Sequence, residues 1–148
     1  MFNVSTKTQY GIRALVHLAR AGEVVGHVQG NPAATAAAIA RSESISPKYL
    51  EGILSLLTTA GLLVSERGKH GGYRLARPPR EVSMLEIVEA LEGEIKPVDC
   101  IDSREVCAQG GSCLPRLFWL GLKESVDGYL SSRSLKDVLE GEADDGRA

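Results

Sequence analysis

The stretch from Ser46 to Pro79 limits the possible folds more than any other part of this chain. Ser46-Pro47-Lys48-Tyr49-Leu50 opens a helix. Serine is a favoured N-cap, and a proline at the first helical position gives up an N–H that has no intrahelical partner anyway. Tyr49, Leu50, Ile53, Leu54 and Leu57 recur at helical spacing as the buried face, and Gly61 stops the helix. Residues 62–67 read as a strand, Gly68-Lys69-His70-Gly71-Gly72 as a turn, and residues 73–76 as the returning strand. Pro78-Pro79 closes the unit.

Two more helices precede it. Tyr10, Ile12, Leu15, Val16 and Ala19 form a stripe along residues 5–21, with Ser5 or Thr6 as the cap. A glycine-rich loop over 22–32 leads to a short alanine-rich helix at about 34–41. Three helices and then a glycine-tipped hairpin is the order of a winged helix-turn-helix. Its second helix braces the third, whose N-terminal end enters the major groove.

Beyond the hairpin, Ser83-Met84-Leu85-Glu86 is a capping box for a helix to about residue 92, with Leu85, Val88 and Leu91 packing on the wing's base. Residues 115–130 form a long helix with Phe118, Leu122, Val126 and Tyr129 on one face and Trp119 near its edge. Ser134 and Asp137 start a last short helix over 135–139. The expected fold is mainly α with a small β-hairpin wing: a winged helix-turn-helix domain plus a long C-terminal dimerisation helix. It divides into a DNA-binding domain at 1–80, a connecting helix at 81–96, a cysteine-bearing loop at 97–114, the dimerisation and terminal helices at 115–140, and an acidic tail at 141–148. The long helix lies outside the winged unit and needs a surface to cover its stripe. A second copy of the chain is the economical answer, and such dimers read matching half-sites.

Charge agrees with that division. The net charge of −2 conceals ten Lys/Arg against four Asp/Glu in residues 1–80, and seven against fifteen in residues 81–148. A basic front half suits a polyanion such as DNA. No apolar run approaches the roughly eighteen residues of a membrane span. The start of the chain lacks a secretory pattern, so a cytoplasmic protein is expected. On the third helix Ser46, Lys48, Glu51 and Ser55 point outward; the first two suit phosphate or base edges, and Glu51 can accept from a cytosine amino group. Arg67, Lys69, His70 and Gly71 form the wing tip, where an arginine suits a narrow minor groove. Lys7 and Arg13 can add phosphate contacts, and Tyr49 completes the DNA-facing set.

Cys100, Cys107 and Cys113 stand as C-x6-C-x5-C. An odd, clustered set argues against a disulfide framework, and the absence of any C-x2-C pair argues against a zinc ribbon. Converging thiolates are soft ligands suited to an iron–sulfur cluster, and Gly110-Gly111-Ser112 leaves the backbone free to wrap one. A thiol-oxidation switch is the alternative, as is sensing of a small metabolite. No nucleophile–base–acid order and no phosphate-binding glycine loop is present, so an enzyme is not expected.

Together, Ser5-Thr6-Lys7, residues 45–51, Ala60-Gly61-Leu62-Leu63, residues 67–78, Pro97-Val98-Asp99-Cys100 and residues 134–139 resemble the IscR/NsrR/CymR family of bacterial winged-helix regulators. The resemblance runs from about Val4 to Leu139. It implies a homodimer joined by the long helix, a near-palindromic operator, a role for Glu51 in operator choice, and Arg67 in the minor groove. Family members with three cysteines here hold a [2Fe–2S] or [4Fe–4S] cluster. In the [2Fe–2S] type a histidine follows the third cysteine by three residues, and here Arg116 stands in that place. The fourth ligand is therefore open, with Glu43 the first candidate and Gln9 or His17 behind it. Ser44 also departs from the resemblance, standing where a glycine is common.

Overall fold

The computed structural model describes residues 3–25, 33–69, 71–101 and 113–141. Helix α1 spans Thr6–Val25, longer than the sequence stripe suggested, so residues 22–25, expected to open a loop, continue the helix, and the rest of that expected loop lies outside the described residues. Ser5 caps it, its Oγ accepting from the Thr8 N–H at 3.2 Å. Helix α2, Ala36–Glu43, is capped by Thr35, whose hydroxyl accepts from the Ala38 N–H. Ser44 then takes a left-handed conformation, φ 56 and ψ 47, the geometry that usually draws a glycine to this turn.

Helix α3 spans Pro47–Thr59 and buries Leu50, Ile53, Leu54 and Leu57. Two expectations about it need correction. Ser46 occupies the N-cap position, but its side chain makes no cap hydrogen bond. Tyr49 is 42% exposed rather than buried, because it lies at the edge of the stripe with its ring edge-on to Tyr10 at 6.0 Å.

Strands β1, Leu63–Glu66, and β2, Gly72–Leu75, pair antiparallel with Leu63 opposite Leu75 and Glu66 opposite Gly72. Ala34 adds a bridge on the other side of the hairpin: its N–H donates to the Tyr73 carbonyl at 3.0 Å, and its carbonyl accepts from the Tyr73 N–H at 2.8 Å. That close approach explains Gly72, where φ is 143 and any Cβ would overlap the Ala34 carbonyl. The wing is thus stitched to the chain segment that leads into α2.

A 3-10 turn over Pro79–Glu81 leads to α4, Met84–Glu92, which carries the expected capping box between Ser83 and Glu86. Its buried residues are Met84, Ile87 and Leu91. Leu85 and Val88, expected inward, are only half-buried, because the cap sets Met84 rather than Leu85 against the core. At Gly11 a Cβ would overlap the end of the Leu91 side chain, which would have to turn aside, so α1 and α4 lie close together there.

Helix α5 covers Leu114–Ser132 and buries no side chain, although it packs along α4. Leu122 and Val126 are half-buried, whereas Phe118 and Tyr129 stay 66% and 61% exposed. The expected single face straddles a boundary: residues four apart drift by about 40° around a helix, so the stripe slides off one neighbour. Helix α6, Leu135–Leu139, has its own capping box from Ser134 and Asp137 and returns to α1, with Leu135 fully buried. One core, centred on Leu15, Leu18, Ile39, Leu50, Leu54, Leu57, Leu63, Ile87 and Leu135, joins α1–α4, the hairpin and α6. Among the described residues no helix is long and apolar enough to cross a membrane.

Candidate nucleic-acid interface and cysteine-bearing corner

Helix α3 turns Leu50, Ile53, Leu54 and Leu57 inward, so Ser46, Lys48, Glu51 and Ser55 are all left exposed, as the spacing predicts. Lys48 and Glu51 make no ion pair among the described residues. Arg67 and Lys69 are likewise exposed and unpaired there, while the neighbouring Arg74 is held by Glu66 across the hairpin at 2.6 Å. Gly71 closes the wing by donating to the Gly68 carbonyl at 3.0 Å. His70 lies outside the described residues. Lys7 sits in the first turn of α1, half-buried.

Arg13 is placed differently from a free phosphate contact. Its Nε donates to Glu43 Oε2 at 3.1 Å and its Nη2 to the Glu43 carbonyl at 2.7 Å, and its guanidinium lies 5.5 Å from the Tyr10 ring centre. His17 Nδ1 stands 3.5 Å from Glu43 Oε1. Arg13 thereby ties α1 to the last residue of α2, just before the left-handed Ser44. The turn that aims α3 is held by this fork as well as by its own backbone bonds. The sequence marked these three residues singly and missed the cluster they make. Gln9, the remaining ligand candidate, donates to the Val4 carbonyl at 3.0 Å.

At the other end of α4 the Glu92 carboxylate accepts from the Ser5 N–H at 2.8 Å and from the Thr8 hydroxyl at 2.7 Å. Thr8 is the one polar residue in the buried set of the described residues, and this bond satisfies its hydroxyl. The hydrogen bonds from Ser5 and Thr8 hold the Glu92 carboxyl below its usual range.

The cysteine segment starts one turn of chain later. Cys100 lies in a 3-10 turn, Asp99–Ile101, and Cys113 is the N-cap residue of α5. Both are free thiols of intermediate exposure. Cys107 and the glycines at 110 and 111 lie outside the described residues. Arg116 donates from Nε to the Cys100 carbonyl at 3.3 Å and from Nη2 to the Ile101 carbonyl at 2.9 Å. Lys123, further along α5, pairs with Glu94 at 3.2 Å and with Asp127 at 2.8 Å, and its bond to Asp127 raises its pKa. Sequence reasoning registered Arg116 only as a missing histidine, since nothing local signals which carbonyls a guanidinium will reach.

These features agree with what known proteins share with the chain. Residues 4–141 match the family described as Rrf2, iron-dependent transcriptional regulator. The HTH-type transcriptional regulator CymR of Bacillus subtilis is 31% identical over 135 residues, covering 91% of this chain and 88% of its own. The solved structure of that protein, the global cysteine regulator of B. subtilis, superposes with a TM-score of 0.74 at 32% identity over 95% of this chain and 98% of that one. T. potens IscR gives a TM-score of 0.73 at 30% identity, covering 99% of this chain and 92% of that one. The oxidized form of Staphylococcus aureus CymR gives 0.67 at 29% identity, covering 94% and 97%. The relatives are transcriptional regulators and not enzymes, and the mostly helical chain with its two-stranded hairpin has their winged-helix fold. The chain belongs to the Rrf2 family of transcriptional regulators.

Proposed function

We propose that the protein works as a homodimeric repressor that reads a near-palindromic operator through Ser46, Lys48, Tyr49 and Glu51 of α3 and through Arg67, Lys69, His70 and Gly71 of the wing. Lys7 adds a phosphate contact. The observation that carries this reading is the exposed polar side of α3, opposite its four buried apolar residues, beside a hairpin whose Arg67 and Lys69 have no partner in the described chain. Side chains so placed suit base edges and phosphates.

Operator binding is controlled by an iron–sulfur cluster on Cys100, Cys107 and Cys113. The donor set fits such a group: Cys100 and Cys113 are free, half-buried thiols flanking a glycine-containing segment. The cluster, when bound, supplies sensitivity to iron supply, oxidants or nitric oxide. Glu43 is the proposed fourth ligand: Arg13 holds its Oε2, while its Oε1, beside His17, is not bonded to Arg13. Loading the cluster would then act on the same carboxylate that Arg13 uses to hold the turn before α3, which links a ligand signal to the DNA-reading helix.

A second reading keeps the DNA binding and makes the cysteines a thiol-oxidation switch; the existence of an oxidized form of S. aureus CymR favours it. One anaerobic experiment separates the two. Protein purified without oxygen is assayed for iron and sulfide, its ultraviolet–visible and Mössbauer spectra are recorded, and its affinity for genomic DNA fragments is compared before and after iron is removed. Charge-transfer bands that vanish in a triple Cys→Ser protein, with a change in DNA affinity, support the cluster. An iron-free protein that cannot be reconstituted, but responds to peroxide, sinks it and leaves the thiol switch.

A further inference from the structure

The segment between α4 and the cysteines is pinned to α5 at both ends. Near its start Glu94 meets Lys123 at 3.2 Å, and Lys123 is only 16% exposed. At its end Arg116 reaches two successive carbonyls, those of Cys100 and Ile101. Those carbonyls belong to a three-residue 3-10 turn, Asp99–Ile101, and Arg116 supplies donors to both. A planar guanidinium with several fixed N–H groups suits adjacent carbonyls better than an ammonium does. Ile101 is buried beneath the same turn, so its backbone has little room to move. Arg116 also stands three residues, just under one helical turn, from Cys113.

We propose that Arg116 is the positioning residue of the cysteine segment: by binding the Cys100 and Ile101 carbonyls it holds Cys100 against the first turn of α5, whose N-cap is Cys113. Two of the three thiols are then presented from one preformed corner before any ligand arrives. Arginine stays protonated and offers no lone pair, so this turn of α5 contributes one thiol and a clamp, and no second ligand. Any fourth ligand must come from another part of the chain or from a partner copy. The use of the corner for a cluster rests on the proposed function, whereas the clamp does not.

The test uses the full chain as Arg116→Ala and Arg116→Lys, reduced and free of oxygen. Iodoacetamide is added, and alkylation of Cys100 and of Cys113 is followed separately by mass spectrometry. Loss of two charge-assisted hydrogen bonds should speed alkylation of Cys100 about tenfold in the alanine protein, with the lysine protein between. DNA affinity of the iron-free protein should stay unchanged, because among the described residues the bonds of Arg116 go to the 3-10 turn and not to α3 or the wing. After reconstitution with ferrous iron and sulfide, the alanine protein should lose iron to a chelator about tenfold faster than the original, as the same two bonds are missing. Unchanged Cys100 alkylation in a folded Arg116→Ala protein overturns the clamp. If that protein does not fold, unchanged rates in Arg116→Lys and Arg116→Gln overturn it instead. A wild-type protein that takes up no iron defeats the cluster reading, while the alkylation rates still decide the clamp.

Discussion

Helices α3 and α5 both carry an apolar stripe, yet they end in opposite situations. In its thirteen residues α3 fully covers Leu50, Ile53, Leu54 and Leu57 with α1, α2, α4 and the hairpin. In its nineteen residues α5 buries no apolar side chain fully, and Leu114, Leu117, Phe118 and Tyr129 remain more than half exposed. Covering one such side chain is worth about 1.5–3 kcal/mol, so α3 draws its stability from its own chain and α5 leaves most of its own unrealised. Toward the rest of the chain it makes polar contacts through Lys123 and Arg116 and covers Leu122, Val126 and Leu130 only in part. The lesson is that periodicity identifies an apolar face but does not say what covers it. We read the bare face of α5 as the place of the second copy, and the comparison can be broken at either helix.

The largest effect is expected at α3. Leu54→Ala opens a cavity in a fully buried site and should cost about 2–5 kcal/mol in denaturant unfolding, whereas Leu117→Ala, exposed on α5, should cost the isolated subunit almost nothing. Similar losses at both sites would erase the contrast. Next comes Leu117→Asp with Phe118→Asp. Sedimentation should show the dimer weakened about a hundredfold or more, with far-ultraviolet circular dichroism unchanged and operator affinity sharply lower. An undisturbed dimer would mean that another surface joins the subunits.

A smaller change is expected at the wing. Arg67→Ala should weaken operator binding by about 1–3 kcal/mol and leave both stability and dimerisation alone, which separates reading from assembly. The smallest concerns Glu92, which joins the end of α4 to the start of α1. Its carboxyl titrates below the ordinary 4.5 in the folded chain because Ser5 and Thr8 donate to the charged form. The unfolded chain therefore binds the proton more readily. The resulting stabilisation is complete above the unfolded value and disappears as pH falls through the folded one. Melting temperatures followed from pH 7 down to pH 3 should decline less steeply in Glu92→Gln than in the original chain. Parallel curves would show that the carboxylate adds nothing to the α1–α4 junction.

Much of the winged unit was legible because its signals are local. The Ser83-x-x-Glu86 and Ser134-x-x-Asp137 boxes, Pro47 at the start of α3 and the glycine-tipped hairpin each act within a few residues, and each stands where the spacing put it. The misreadings share another cause. Whether Leu85 or Met84 faces the core, and whether Tyr49 is covered, depends on which neighbour lies across the helix, and two stripes offset by one residue look equally apolar along the chain. Gly11 could not be interpreted at all until Leu91, eighty positions away in the sequence, was seen to lie against it.

The sequence by itself determined the order of elements, their caps and turns, the outward set on α3, the cations of the wing and the thiol spacing, since these follow from backbone preferences and short-range periodicity. Tertiary structure alone decided that Phe118 and Tyr129 of α5 stay exposed within one chain, that Arg13 holds Glu43, that Glu92 satisfies Thr8, and that Arg116 binds carbonyls where a histidine ligand was a possibility. Those bonds join residues separated by 30, 84 and 15 positions, and a hydrogen bond between distant residues leaves no mark on the stretch of chain around either partner.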